Sequence, residues 1–234
     1  MLLRKSMDKS LVDATAESGI KGVSRRNFLG YLGGASALML TAAACKKDST
    51  PTNTGVDLGS GDTGILNYAY ALEQLEAAFY TQVALTPYSG ITAAESLLLT
   101  DIRDHEIAHR EFFKAALSTN AIPALEVNFT SINFSSRDSV LGTAKAFEDL
   151  GVTAYNGAGK LIVNPAYLTL AGKIVSVEAR HAAYIRDLIS NGSFADNTAL
   201  DANGLDMART PAQVLAIAGT YIKTSINASN LPIN

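Results

Sequence analysis

The sequence predicts an all-α protein whose core is a four-helix bundle, with a long crossover between the second and third helices and a short fifth helix near the C-terminus. Two observations predict this fold. Four long segments repeat their apolar residues with the period of an amphipathic helix, and stretches rich in Gly, Pro and Asn separate them. A pattern of Glu, Tyr, Glu and His occurs across the first two segments and again across the last two, so the bundle is predicted to have two similar halves.

The first helix is predicted from about Thr63 to Ala84, where apolar residues recur at helical spacing. Between Leu66 and Gln82 its only charged residues are Glu73 and Glu76. A buried carboxylate without a partner is costly, so at least one of these acids is expected to bind something. Glu73 lies seven residues before Tyr80 and shares a helical face with it. We therefore predict Glu73 as the functional residue, with Glu76 as the alternative.

The second helix is predicted to begin at the capping box Thr92–Glu95 and to run to about Ser118. It contains Glu106 and His109, which stand three residues apart and so lie on one face of a helix. The neighbouring His105 points about 100° away from Glu106. We expect His105 to be a partly exposed polar residue rather than a ligand.

The segment 120–135 is rich in Asn, Ser, Thr and Pro and is long enough to be the crossover that joins the two halves. The third helix is predicted over residues 136–155, where Glu148 precedes Tyr155 by seven residues, as in the first helix. Interior glycines such as Gly151 either weaken this helix or permit close packing. The run of Asn and Gly after Tyr155 is expected to end it.

The fourth helix is predicted over residues 164–190, with an Asn as N-cap and a Pro in its first position. Glu178 and His181 repeat the Glu-x-x-His spacing of the second helix. A short fifth helix is predicted over residues 210–225 and is expected to cover one end or flank of the bundle. No residue of this fifth helix suggests chemistry.

The doubled pattern is more specific than a single Glu-x-x-His pair. The chain has three His residues, and two of them belong to this motif. Each Glu-x-x-His pair also follows a Glu–Tyr pair, at separations of 33 residues in the first half and 30 in the second. The alternative is a chance combination of surface Glu and core His residues.

This pattern resembles the ferritin-like superfamily of di-iron and di-manganese carboxylate proteins, over roughly residues 62–192, and in particular the secreted ferritin-like proteins related to plant desiccation proteins. The resemblance implies two Fe or two Mn ions, held by a Glu from the first and third helices and a Glu-x-x-His from the second and fourth. By motif position the implied metal ligands are Glu73, Glu106, His109, Glu148, Glu178 and His181. It also implies that Tyr80 and Tyr155 flank the metals as hydrogen-bonding or redox neighbours.

The ligand types indicate the chemistry that such a site supports. Carboxylates favour iron and manganese over soft metals, and one His per metal leaves coordination positions open for oxygen or hydrogen peroxide. With the resemblance, this implies redox chemistry of the ferroxidase, peroxidase or catalase type. The alternative is a non-catalytic ferritin-like module with a structural or stress-related role. A closed iron-storage cage fits less well, because the chain also carries the lipid-attachment pattern described below.

Charge and cysteine content exclude several other classes. The net charge is −3, and residues 1–44 alone contribute +3, which leaves −6 for the remainder. A nucleic-acid partner is therefore not expected. The single Cys excludes an internal disulfide framework and a Cys-x-x-Cys iron site.

The N-terminal segment is predicted to be an export signal. Residues 24–30 (SRRNFLG) resemble the twin-arginine signal, and an apolar run that is too short for a confident membrane span follows to Ala44. This run ends at Cys45 in a pattern that resembles a lipoprotein processing site, although Ala42 stands where such sites usually have Leu. We interpret Cys45 as lipidated and bound to a membrane surface. The alternative is an ordinary signal peptide cut near Ala44.

The predicted domain organisation follows from these segments. It comprises an export signal over 1–45, a flexible polar linker over 46–62, the bundle over 63–192 and a C-terminal extension with the short helix over 193–234. The expected location is the periplasm or cell envelope. Since the twin-arginine route is associated with proteins that fold before export, iron or manganese could be bound before copper or zinc compete.

Overall fold

The computed structural model describes residues 55–232 of the chain. The predicted export signal, with Cys45, and the linker up to residue 54 lie outside these residues. In chain order the elements are β1 (Val56–Asp57), α1 (Gly61–Leu85), α2 (Ala93–Leu117), α3 (Arg137–Gly159), α4 (Pro165–Ile189), α5 (Pro211–Ala218) and β2 (Ile226–Asn227). Short 3-10 helical turns follow α2 at Ser118–Asn120 and α4 at Ser193–Ala195.

The four long helices form a bundle of two hairpins. Helix α1 packs along α2, α3 packs along α4, and α1 also contacts α3. The segment 121–136 crosses from the first hairpin to the second, and α5 packs against α1 and α3. The predicted all-α fold, with its crossover and short fifth helix, is confirmed.

The helix starts follow the capping signals in the sequence. At α2, the Thr92 side chain accepts a hydrogen bond from the Glu95 backbone, and the Glu95 carboxylate accepts one from the Thr92 backbone. At α4, the Asn164 side chain accepts a hydrogen bond from the Ala166 backbone, next to the Pro in the first turn. Both helices therefore begin where the sequence predicts.

Helix α3 is longer than predicted, and the reason is a tertiary contact. It continues through the Asn and Gly residues after Tyr155 and ends at Gly159. A Cβ atom added to Gly157 would lie 1.8 Å from the carbonyl oxygen of Arg209. Gly157 thus permits close packing of the C-terminal segment against the helix, rather than ending it.

The C-terminal segment also differs from the prediction. Helix α5 ends at Ala218 instead of Ser225, because the chain turns and Ile222 forms an isolated β-bridge with Val127. Strand β2 then pairs in parallel with β1, where Val56 lies opposite Ile226. The last part of the predicted flexible linker is therefore a strand followed by the start of α1.

The helices are buried to different degrees, and this determines where the site lies. Helix α1 is buried along most of its length, whereas α2 and α4 each bury a narrower stripe. The apolar spacing of α4 predicts that Tyr184 faces inward, but Tyr184 is 58 % exposed, so that prediction is wrong. Within residues 55–232, no helix is both long enough and apolar enough to cross a membrane.

Candidate metal centre

The structure brings the six residues predicted as ligands together inside the bundle. All four Glu residues are fully buried, His181 is 5 % exposed, and the His109 side chain is 14 % exposed. They form two overlapping groups that can each hold a metal ion, and within each group one possible ligand atom per residue lies within 4.8 Å of all the others. The first group is Glu73, Glu106, His109 and Glu178, and the second is Glu106, Glu148, Glu178 and His181.

The first group forms around the His109 ring. Its Nδ1 lies 2.8 Å from Oε1 of Glu178, 3.4 Å from Oε2 of Glu73 and 3.9 Å from Oε2 of Glu106. The nearest carboxylate thus belongs to the other Glu-x-x-His helix, and the farthest of the three belongs to its own. Glu73 is the α1 acid in this group, whereas Glu76 belongs to neither group.

The second group repeats this arrangement around the His181 ring. Its Nδ1 lies 2.9 Å from Oε1 of Glu106, 3.4 Å from Oε2 of Glu148 and 3.5 Å from Oε2 of Glu178. Again the nearest carboxylate comes from the other Glu-x-x-His helix. Glu106 and Glu178 belong to both groups, while Glu73 and Glu148 each belong to one.

The two tyrosines connect the halves of the bundle. Tyr80 donates a hydrogen bond to Oε1 of Glu148, and Tyr155 donates one to Oε1 of Glu73. The seven-residue spacing puts each Tyr on the same face as the Glu of its own helix, yet each binds the Glu of the other half. Burial, and then the adjacent carboxylate, raise the pKa of both phenols well above the ordinary value, so both remain hydrogen-bond donors at neutral pH.

Several polar atoms at the centre lack a hydrogen-bond partner within the described part of the chain. Eight buried atoms of the six residues make no hydrogen bond, although the two histidines lie within ion-pair distance of the carboxylates. A buried charge or polar atom without a partner costs several kcal/mol (on the order of 2–7). A cation would satisfy these atoms, and their carboxylate and imidazole types suit a divalent transition metal. These atoms are Oε2 of Glu73 and Glu148, both carboxylate oxygens of Glu106 and Glu178, and Nδ1 of His109 and His181.

Without metal, protons have to balance the carboxylates. Burial raises the pKa of Glu73 well above its usual value and that of Glu148 to about 8. Burial alone would raise the pKa of Glu106 as well, but its contacts with the two histidines lower it to about 2. Burial would lower the pKa of His109 and His181, but their carboxylate neighbours raise it to about 12. A metal that binds here must displace these protons.

Sequence reasoning missed one contact at the centre. His105 is exposed, in line with expectation, but its Nδ1 lies 2.9 Å from Nε2 of His181, and the two rings stack with centroids 5.2 Å apart. His181 therefore presents Nδ1 to the carboxylates and Nε2 to His105. No local signal predicts this contact, because it depends on how α2 and α4 pack.

Comparison with known proteins supports the resemblance in the sequence. A protein-family model described as a ferritin-like domain matches residues 61–191, a span that includes all four long helices and all six clustered residues. A search of curated proteins gives no match.

Proposed function

Because the chain belongs to the family of ferritin-like domains, we propose that it binds two iron or manganese ions and uses them in redox chemistry with oxygen or hydrogen peroxide. The observation that carries this proposal is the overlap of the two ligand groups. Two carboxylates common to two groups are the arrangement expected for ligands that bridge a pair of ions. In this proposal Glu106 and Glu178 are the bridging ligands.

The remaining ligands divide between the two ions. Glu73 and His109 serve one ion, and Glu148 and His181 serve the other. Four carboxylates balance two divalent cations, which offsets the cost of burying the cluster. When bound, the metals supply the one-electron redox chemistry, and one His per metal leaves positions at which a small oxidant can bind.

The protein's other contribution is to hold the ligands in place. Tyr80 and Tyr155 fix the orientation of Glu148 and Glu73 through their hydrogen bonds. Hydrogen bonds of this kind to ligating carboxylates limit their motion and tune metal affinity. We therefore assign the two tyrosines a positioning role beside the reacting metals.

We further propose that this domain acts in the cell envelope. The support is the twin-arginine-like segment over residues 24–30, together with Cys45 at the end of the apolar run. Lipid attached to Cys45 would hold the domain on a membrane surface. Mass spectrometry of the membrane fraction tests this, since a Cys45→Ser variant should lose both the lipid mass and the membrane association.

Metal analysis and turnover measurements test the central proposal. Protein lacking residues 1–45, produced with added iron or manganese, should contain about two ions per chain. Oxidation of Fe(II), or consumption of hydrogen peroxide, would support the redox function. Bound metal without turnover would support the non-catalytic module instead, and protein free of both metals would contradict both functions.

A further inference from the structure

A fifth carboxylate lies at the centre and belongs to neither ligand group. Glu76 follows Glu73 by one helical turn on α1 and is 4 % exposed. Within residues 55–232 its side chain makes no hydrogen bond and no ion pair. Burial, and then the charges of all four ligand carboxylates, raise its pKa well above the usual value. The Glu76 carboxylate is therefore buried close enough to the cluster to feel the charges of its carboxylates, and no hydrogen bond from the described residues satisfies it.

The second half of the bundle has no acid at the corresponding position, and the glycine there leaves space for the Glu76 carboxylate. Glu73 on α1 corresponds to Glu148 on α3, so the position that corresponds to Glu76 is Gly151. A Cβ atom added to Gly151 would lie 3.2 Å from Oε1 of Glu76 and 3.8 Å from Oε2. The Glu76 carboxylate thus lies where a side chain at position 151 would begin. The first half of the bundle thus supplies the Glu76 carboxylate, and the second half leaves room for it at Gly151.

No hydrogen bond from a neighbouring tyrosine satisfies the Glu76 carboxylate. The hydroxyl groups of Tyr80 and Tyr155, which lie close enough to feel its charge, already donate to Glu148 and Glu73. The buried hydroxyl of Tyr68 also feels this charge, but it makes no hydrogen bond within residues 55–232. A buried carboxylate without a donor costs free energy unless a cation or a proton neutralises it. In a core built for packing alone, an apolar residue of similar size would be more stable.

We propose that Glu76 is a seventh ligand side chain of the metal centre, and that it reaches the centre from beside Gly151, where α1 faces α3. This inference rests on the proposed function. Five carboxylates carry one more negative charge than two divalent ions can balance. The extra charge favours an ion with an additional positive charge, so Glu76 stabilises the oxidised centre relative to the reduced one.

The test uses the full chain and the substitution Glu76→Gln, which keeps the size of the side chain and removes its charge. The wild type and this variant are titrated with Fe(II) under anaerobic conditions, and their reduction potentials are measured. The variant should still bind two ions per chain, with affinity lower by at least about tenfold. Its reduction potential should be higher than that of the wild type. Its melting temperature should also rise less when metal is added.

A second pair of variants tests the space beside Gly151 instead of the charge of Glu76. Gly151→Ala should displace the Glu76 carboxylate and, like Glu76→Gln, lower the metal affinity. Gly142→Ala is the matched control, because it lies on the same helix with nothing within 4 Å of an added Cβ. This control should bind metal like the wild type.

Two other results would contradict the inference in different ways. Wild-type affinity and potential in Glu76→Gln would show that Glu76 is not a ligand, while the proposed function stands. Absence of iron and manganese from the wild type itself would overturn the proposed function.

Discussion

The hairpin of α1 and α2 and the hairpin of α3 and α4 supply the same residue types to the centre, but neither completes a ligand group alone. His109 of the first lies nearest Glu178 of the second, and His181 of the second lies nearest Glu106 of the first. The two tyrosines also donate across the halves. The repeated residues are therefore those that join the two hairpins, and bound metal would hold the hairpins together.

Among the differences between the hairpins, two polar side chains near the centre correspond to a glycine or an apolar residue in the second hairpin. Helix α1 has Glu76 where α3 has Gly151, and α2 has His105 where α4 has Val177. Both of these polar groups come from the first hairpin. The two metal positions thus have matching ligands and different surroundings, so we expect the two ions to differ in affinity.

The largest effect is expected from removing a carboxylate common to both groups. Glu178→Ala should reduce metal content from about two ions per chain toward zero, because each group loses a ligand. His181→Ala removes a ligand from one group only and should leave about one ion. Metal analysis, together with melting temperatures measured with and without metal, tests this difference. In both variants the melting temperature of the metal-loaded protein should fall.

A surface substitution is the control for this comparison. Glu111 has an exposed side chain that, among residues 55–232, forms its ion pair with Arg110, so Glu111→Ala should keep the wild-type metal content. Metal content equal to the wild type in both Glu178→Ala and His181→Ala would refute the ligand assignment.

The second prediction concerns pH, which should affect the metal-free and metal-loaded proteins in opposite directions. The pKa of Glu148 rises from an ordinary value of 4.5 to about 8 on folding, so its contribution to stability is complete below 4.5 and is lost as pH rises through 8. The pKa of His109 and of His181 rises from 6.5 to about 12, so their contribution declines above 6.5. The metal-free protein should therefore become less stable between about pH 5 and pH 8.

Metal reverses this trend because the ligands must lose their protons to bind it. The melting temperature of the metal-loaded protein should rise over the same pH range. Thermal unfolding at a series of pH values, with chelator and with metal, measures both trends. Parallel curves would show that the cluster does not bind metal.

The third prediction compares the two tyrosines, which the repeat makes equivalent. Tyr80→Phe and Tyr155→Phe each leave one buried carboxylate oxygen without its donor, at a cost of about 1–3 kcal/mol in the free energy of unfolding. Denaturant unfolding of the two variants should give similar losses. A loss in one variant alone would show that only one of the two hydrogen bonds stabilises the protein.

The smallest effect is expected at His105, which contacts only one of the two histidines. His105→Ala should weaken one metal position by about tenfold and leave the other unchanged, because the Nε2 of His181 loses its partner. His105→Gln can restore a hydrogen bond and should recover part of the affinity. Val177→Ala, at the corresponding position, is the control. Equal weakening of both positions by His105→Ala would contradict this assignment.

The sequence predicts much of this fold because its signals are local. The apolar period and the caps at Thr92 and Asn164 place the long helices, and the spacing of Glu, Tyr and His puts the side chains of each helix on one face. The partners of those side chains were not predictable from spacing. Spacing determines which residues share a face, whereas the packing of the two hairpins determines that Tyr80 binds Glu148 rather than Glu73.

Non-local contacts also explain the errors at the ends of elements. Helix α3 extends through Gly157, where the backbone at Arg209 packs closely against the helix. Strand β1 forms because Ile226 and Asn227, far along the chain, pair with it. Neither contact leaves a signal within a short window of sequence. The twin-arginine-like segment and Cys45 lie outside the described residues, so export and lipidation stay predictions.

The pairing of β1 with β2 has a mechanical consequence for a tethered protein. The backbone N–H groups of Val56 and Leu58 donate to residues 225 and 227, and the Leu58 carbonyl accepts a hydrogen bond from Asn67 on α1. If the chain before residue 55 is attached to a membrane, a pulling force reaches these bonds before it reaches Glu73. The hydrogen bonds of this short strand pair would then bear the force, and the positions of the metal ligands would not change.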